Sequence, residues 1–218
     1  MLTLHSYWRS SAAYRVRIAL NLKGLAYRQV PVHLVKDGGQ QRSAEYRALN
    51  PQCLVPLLVD PDSGAGEVRI AQSLAILEYL DEVFPVPALL PVEPADRAQV
   101  RSLALHIACD IHPLNNLRVL QYLSAELGVD DQAKNAWYRH WVSTGLAAVE
   151  QGLAHFDGRL SLGHRPGYLE ACLIPQVYNA HRFDCDLSGY PRVLEMTARC
   201  EALDAFTQAV PEVQPDAT

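Results

Sequence analysis

The densest polar cluster in this sequence is Arg9-Ser10-Ser11, followed at once by Ala12-Ala13. Hydroxyls at the opening of a helix cap its free N–H groups, and those groups together with the helix dipole favour an anion. Either this is an ordinary N-cap, or Ser10 or Ser11 donates to a bound thiolate and lowers its pKa from about 8.5 toward neutrality. Ala12 and Ala13 offer no thiol, so a sulfur nucleophile at this corner has to arrive with a cofactor. A second cluster is Val55-Pro56. A proline entering a strand is a candidate for a cis bond, which would turn the Val55 N–H and C=O toward an extended ligand added like a further strand. The alternative is a trans turn proline with no ligand. The third cluster is Gln72-Ser73. There Ser73 is either a plain N-cap or part of a second anion site suited to a carboxylate.

Other groupings are weaker. His106, Asp110 and His112 fall within seven residues, but Pro113 interrupts the run and no third strong metal ligand is evident, so these read as interior or ligand-facing histidines. Arg15 and Arg17 are two apart and do not share a helix face. Tyr7 reads as a strand residue or pocket wall. The five cysteines (Cys53, Cys109, Cys172, Cys185, Cys200) are scattered, odd in number and free of any CxxC pair. That argues against a disulfide scaffold or structural zinc and for a reducing, cytoplasmic setting.

The elements that must position these groups follow from hydrophobic period and turn chemistry. Leu2 to Ser6 reads as a strand and Ser11 to Lys23 as a helix stopped by Gly24. Ala26 to Val32 is a strand, Lys36 to Gln41 an exposed polar loop, and Ser43 to Leu49 a short helix. Pro56–Val59 and Glu67–Ile70, joined by the turn residues 60–66, form a hairpin, and Gln72 to Val83 is a helix. The order β-α-β-α-β-β-α is an α/β sandwich of thioredoxin type. Four prolines between Phe84 and Pro94 read as a linker. Beyond it the patterns are helical: Trp137, Trp141, Val149, Leu153 and Phe156 on one face, then Val193, Met196, Cys200, Leu203 and Phe206. Residues 211–218 read as a disordered or loosely docked tail. The expected organisation is an α/β domain over 1–84, a linker over 85–94 and an all-helical domain over 95–218.

With 218 residues, 49% hydrophobic and 20% charged, the chain is globular rather than disordered, and long enough for one large domain or two small ones. A formal net charge of −5 argues against nucleic-acid and membrane-surface partners. No apolar run approaches the ~20 residues of a membrane span, and the N-terminus does not read as a signal peptide.

The segment SYWRSSAAYRVRIALNLKG resembles the opening signature of the zeta-class glutathione transferases. KDGGQQ, ALNPQCLVPLL, QSLAILEYL, CDIHPLNNLRVLQYL and PQVYNAHRFDCDLSGYP are similar to that family's later landmarks, so the resemblance spans essentially residues 1–216. It implies a thioredoxin-like domain followed by a helical one, a homodimer, and a glutathione-dependent cis–trans isomerase of maleylacetoacetate or maleylpyruvate. It further implies that Ser10 and Ser11 serve the glutathione thiol, Gln41 the glycyl end, Val55 the cysteinyl backbone, and Gln72 and Ser73 the γ-glutamyl end. His112 and Asn116 would lie near the tripeptide from the helical domain. Two departures stand out. Ala12 replaces a cysteine common after the serine pair, so that cysteine is not required here. Gly167 opens a helix where relatives carry a capping threonine, a loss of a few tenths to ~1 kcal/mol.

Isomerisation of this kind needs reversible addition of a thiolate to an activated alkene, a donor for the charge that develops, and cations for a small dicarboxylate substrate. Arg9, Arg182 and Arg118 are the candidates, since arginine suits bidentate carboxylate recognition; for each the alternative is a surface salt bridge. Two further functions stay open: conjugation of glutathione to small electrophiles such as α-haloacids, and a non-catalytic glutathione-binding module.

Overall fold

A computed structural model describes residues 1–64 and 66–217; Ala65 of the expected hairpin turn and Thr218 of the expected tail lie outside the described residues. The chain forms two compact units, one of Met1–Leu89 with the segment from Ala202 onward, the other of Leu90–Glu201.

In the first unit the strands are β1 (Leu2–Ser6), β2 (Tyr27–Pro31), β3 (Leu57–Asp60) and β4 (Val68–Ala71). They form one sheet in the order β2-β1-β3-β4. Along β1 the buried Leu2, Leu4 and Ser6 alternate with half-buried Thr3 and His5, the period of a strand with one face on the core. β2 runs parallel to β1 with Ser6 opposite Pro31. β3 is antiparallel to β1 with His5 opposite Leu57, and β4 is antiparallel to β3 with Leu57 opposite Ala71. This register has a functional consequence. The chain leaves β1, leaves β2, enters β3 and leaves β4 at the same end of the sheet.

The helices of this unit are α1 (Ser11–Leu22), α2 (Ala44–Leu49) and α3 (Ser73–Val83). Ser10 caps α1 by accepting the Ala13 N–H at 3.2 Å, and the chain turns away at Gly24 with φ +64°. Lys23 ties the end of α1 to the end of α3: its ammonium meets Asp81 at 2.8 Å and donates to the Phe84 and Pro87 carbonyls. The buried Ile76, Leu77 and Leu80 supply the inward face of α3.

Three features of this unit differ from the sequence expectations. The stretch from Lys36 is not simply an exposed loop: it forms two 3₁₀ turns, Lys36–Gly38 and Gln40–Arg42, that bury Gln41. Ser73 is not the N-cap of α3 but its first helical residue, while Gln72 holds the cap position at φ +72° with no side-chain cap bond. The expected loose tail is docked on the first unit, so the helical region stops short of the 95–218 range. Arg17 donates to the Ala209 carbonyl at 3.0 Å and Asp216 accepts the Trp8 N–H at 3.0 Å, fixing a segment whose composition alone looks unstructured.

The second unit is helical: α4 (Pro94–Leu105), α5 (Leu117–Ala125), α6 (Asp131–Gly152), α7 (Tyr168–Arg182) and α8 (Pro191–Glu201). A π-helical turn, His106–Ile111, continues α4 and passes into a 3₁₀ turn, His112–Asn115. Of the expected face, Val149, Leu153 and Phe156 are buried, whereas in the first half of α6 the buried stripe runs one residue round, through Tyr138 and Val142, with Trp137 and Trp141 half-buried at its margin. The later apolar pattern is also interrupted. α8 ends at Glu201, Leu203 is exposed, and Phe206 is buried in a separate short helix, α9 (Asp204–Thr207), of the first unit. At Gly167 the loss of a cap side chain is offset from the other direction. The wholly buried Glu170 carboxylate accepts the Gly167 N–H at 2.8 Å, the Ser161 N–H at 2.6 Å and the Ser161 hydroxyl at 2.5 Å. No helix among the described residues is long and apolar enough to cross a membrane.

Candidate active site

Each strand end described above delivers one of the groups singled out in the sequence. After β1, the Ser10 N–H bonds back to the Tyr7 carbonyl at 2.9 Å, closing a tight turn before α1. In that turn Trp8 is buried and Arg9 exposed, and the Arg9 guanidinium lies 4.0 Å from the Trp8 ring centroid. Ser10 is half-buried and Ser11, the first residue of α1, is buried. The Ser10 oxygen accepts from the Ala13 N–H, which leaves its hydroxyl proton to be given elsewhere.

After β2, the second 3₁₀ turn tucks in Gln41. Its Nε2 reaches the Leu34 carbonyl only at 3.4 Å, and its buried Oε1 has no hydrogen-bond partner among the described residues. Gly39 makes this fold possible. It has φ +98°, and a Cβ there would stand 2.7 to 2.9 Å from the Gln41 amide and the Leu34 oxygen.

Before β3, the Val55–Pro56 bond is cis, and the ladder begins only at Leu57, so the Val55 backbone lies outside it. The preceding carbonyl, that of Leu54, is held by two donors, the Tyr46 hydroxyl at 2.6 Å and the Asn50 amide at 2.8 Å. Burial pushes the Tyr46 phenol up to about 12, so it stays a neutral donor. Tyr46 and Val55 pack with Tyr7, Trp8 and Val32 in one small core.

After β4, Gln72 donates to the Gln52 side chain at 2.6 Å, and the buried Ser73 oxygen accepts from Arg15 Nη1 at 3.2 Å. Because arginine can only donate, this contact leaves the Ser73 proton as an outward donor beside the N-terminus of α3.

The structure thus brings together Ser10, Ser11, Gln41, Val55, Gln72 and Ser73 at one end of one sheet. Arg9 stands in the turn just before Ser10, and the second unit holds His112, Asn116, Arg118 and Arg182. Asn116 caps α5 through its Oδ1, which accepts the Arg118 N–H at 3.1 Å, and its amide nitrogen lies 3.4 Å from His112 Nε2. The Arg118 and Arg182 side chains are exposed; Arg182 rests 5.5 Å from the Phe183 ring centroid and reaches Asn179 at 3.4 Å. His106 Nδ1 pairs with Asp110 at 3.1 Å across the π-helical turn. Although nothing in the local sequence marks them, Trp8, Tyr46, Asn50 and Asp216 also support the site, as do Arg15 and Arg17. Two arginines inside an otherwise apolar helix were the visible signal for the last pair, and both are buried.

The comparisons with known proteins point the same way. Residues 9–83 match the family model "Glutathione S-transferase, N-terminal domain". The chain is 56% identical to the probable maleylacetoacetate isomerase of Vibrio cholerae, over 99% of this chain and 98% of that one. A structure described as the holo form of maleyl pyruvate isomerase, a bacterial glutathione S-transferase in zeta class, superposes with a TM-score of 0.91 at 45% identity, covering 99% of this chain and 100% of that one. A maleylacetoacetate isomerase from Methylobacterium extorquens AM1 with bound malonate and glutathione superposes with a TM-score of 0.91 at 40% identity, covering 99% of each. With the sheet, its four convergent strand ends and full-length identity of this order, the chain belongs to the zeta-class glutathione transferases, the family of the maleylacetoacetate and maleylpyruvate isomerases.

Proposed function

We propose that this chain is a glutathione-dependent cis–trans isomerase of a maleyl-type diacid, maleylacetoacetate or maleylpyruvate, serving the breakdown of tyrosine or related aromatic compounds. The observation that carries the proposal is the arrival of four cradle segments around the N-terminus of α1, where the chain itself has alanine rather than a thiol. The residues fit a tripeptide cofactor. The unpartnered Gln41 oxygen can accept from the glycyl end, the Val55 backbone lies outside the ladder, and Ser73 offers a donated proton where α3 begins without a side-chain cap.

Glutathione supplies a thiolate that adds reversibly to the conjugated alkene, so that the former double bond can rotate before the sulfur leaves. Ser10 and Ser11 hold that sulfur ionised by hydrogen bonding at the positive end of α1. Gln72 and Ser73 take the γ-glutamyl carboxylate. Arg9, aimed by the Trp8 ring, meets negative charge as it moves from sulfur onto the substrate carbonyl oxygen. The resemblance assigns His112 and Asn116 to the tripeptide, and Arg118 and Arg182 are candidates for the substrate carboxylates, since arginine suits bidentate carboxylate recognition. The five free thiols support a reducing, cytoplasmic setting, and the resemblance implies a homodimer.

The test is incubation of the purified protein with glutathione and each maleyl diacid, followed by product analysis. Trans product with glutathione recovered unchanged is the expected result. A stable glutathione adduct with no trans product, or conversion of an α-haloacid alone, would replace isomerisation with conjugation; binding without either would leave a glutathione-binding module.

A further inference from the structure

We propose that Asp216, near the end of the described chain, is a positioning residue for Arg9 and Ser10, acting through the main chain of Trp8. The inference rests on the isomerase reading above and adds a part to its site. In the turn that presents Arg9 and Ser10, both main-chain groups of Trp8 are held from outside the turn. Its N–H donates to Asp216 Oδ2 at 3.0 Å, and its carbonyl accepts from Arg17 Nη2 at 3.1 Å. Asp216 is itself oriented, since Oδ1 accepts from Gln29 Nε2 on β2 at 3.2 Å. Arg17 is wholly buried and also donates to Ser6 at the end of β1 and to the Ala209 carbonyl, so it anchors the terminal segment and the turn together. The next residue, Ala217, packs against the core made by Tyr7, Trp8, Val32, Tyr46 and Val55.

A carboxylate accepting a main-chain N–H is a charge-assisted bond, stronger than a neutral one. Fixing Trp8 at both main-chain groups fixes the direction of its Cα–Cβ bond, and its buried ring, packed with Tyr7, carries the Arg9 guanidinium at 4.0 Å. The same constraint sets where Ser10 stands one residue later. Gln41, Gln72 and Ser73, which serve the two ends of the tripeptide, are held by other segments. Asp216 therefore tunes the reacting end of the site and not the grip on the tripeptide.

The test compares Asp216→Ala with Asp216→Asn, whose amide oxygen can still accept from Trp8 while the Gln29 amide turns to suit. Three quantities are measured: hydrogen exchange at the Trp8 amide, glutathione affinity by calorimetry, and the pKa of the bound thiol from thiolate absorbance, with kcat and KM for the diacid alongside. In Asp216→Ala the Trp8 amide should exchange faster and the bound-thiol pKa should rise. Diacid kcat/KM should fall about tenfold, in keeping with the cost of small misplacements, while glutathione affinity changes less than about twofold. Asp216→Asn should restore most of each. Faster Trp8 exchange with unchanged thiol pKa and turnover would overturn the proposal, as would equal losses of glutathione affinity and turnover in both variants. If the wild type binds glutathione but does not isomerise the diacids, the isomerase reading fails, and the thiol titration alone then decides the role of Asp216.

Discussion

Replacing Ser10 with alanine separates the two duties assigned to its side chain. The first is structural: its oxygen accepts the Ala13 N–H at 3.2 Å, and removing such a cap costs about 1 kcal/mol. The second is electrostatic. A hydrogen bond to a charged partner contributes about 1.5–3 kcal/mol, and at 1.36 kcal/mol per unit its loss should raise the bound thiol by about 1–2 pKa units. A thiol titrating near 7 would move to about 8–9, and the thiolate fraction at pH 7 would drop about 5- to 50-fold. The assay is kcat against pH with saturating glutathione, read beside thiolate absorbance of the binary complex. Ser10→Ala should lose activity at pH 7 and regain most of it by about pH 9. Ser10→Gly supplies the control, because glycine sustains a helix start almost as well as serine yet has no proton to give; it should keep the stability and lose the activity. Ser10→Thr should keep both. Unchanged pH profiles in Ser10→Ala and in the Ser10→Ala/Ser11→Ala double variant would show the hydroxyls to be caps and nothing more.

Three further outcomes follow from the same geometry. Cys53→Ser, Cys109→Ser and single alanine replacements of Cys172, Cys185 and Cys200 should leave kcat within about twofold, since burial pushes the Cys185 and Cys200 thiols up into the inert protonated form and none stands in the serine turn. Glu170→Gln should lower stability by about 1–3 kcal/mol in denaturant unfolding, because the carboxylate faces three donors and an amide can answer only some of them. His5 has its pKa lowered by burial and by the nearby Arg28 and Arg69 charges. The unfolded chain therefore binds the proton more readily, so the His5 contribution is whole above about pH 6.5 and is lost as the pH falls below it. Melting temperature followed from pH 7.5 to 5 should decline less steeply in His5→Gln than in the wild type.

Much of the α/β unit was legible because its signals are local. The alternation of Leu2, Leu4 and Ser6, the Gly24 stop and the turn residues around Asp60 each report a short-range steric or solvation preference, and the hairpin follows from two strands separated by such a turn. The serine turn, Val55-Pro56 and Gln72-Ser73 were visible as residue types at element junctions. What escaped depends on distant partners. Gln41 is buried because Gly39 at φ +98° folds it inward, which the polar string around it conceals. The terminal segment looks unstructured until Arg17 and Asp216 find Ala209 and Trp8 across more than 190 residues of chain. The shift of the α6 stripe arises because tryptophan can lie at the edge of a core with its N–H outward, as Trp137 does in donating to the Leu114 carbonyl at 2.7 Å.

The central claim is that a sulfur brought in by glutathione reacts beside the hydroxyls where β1 gives way to α1. Crystals soaked with glutathione and a non-reacting diacid test it most directly. The expected electron density places the sulfur within hydrogen-bond distance of the Ser10 or Ser11 oxygen, with the diacid's carbonyl oxygen against the Arg9 guanidinium. A tripeptide bound with its sulfur turned away from that corner would contradict the claim.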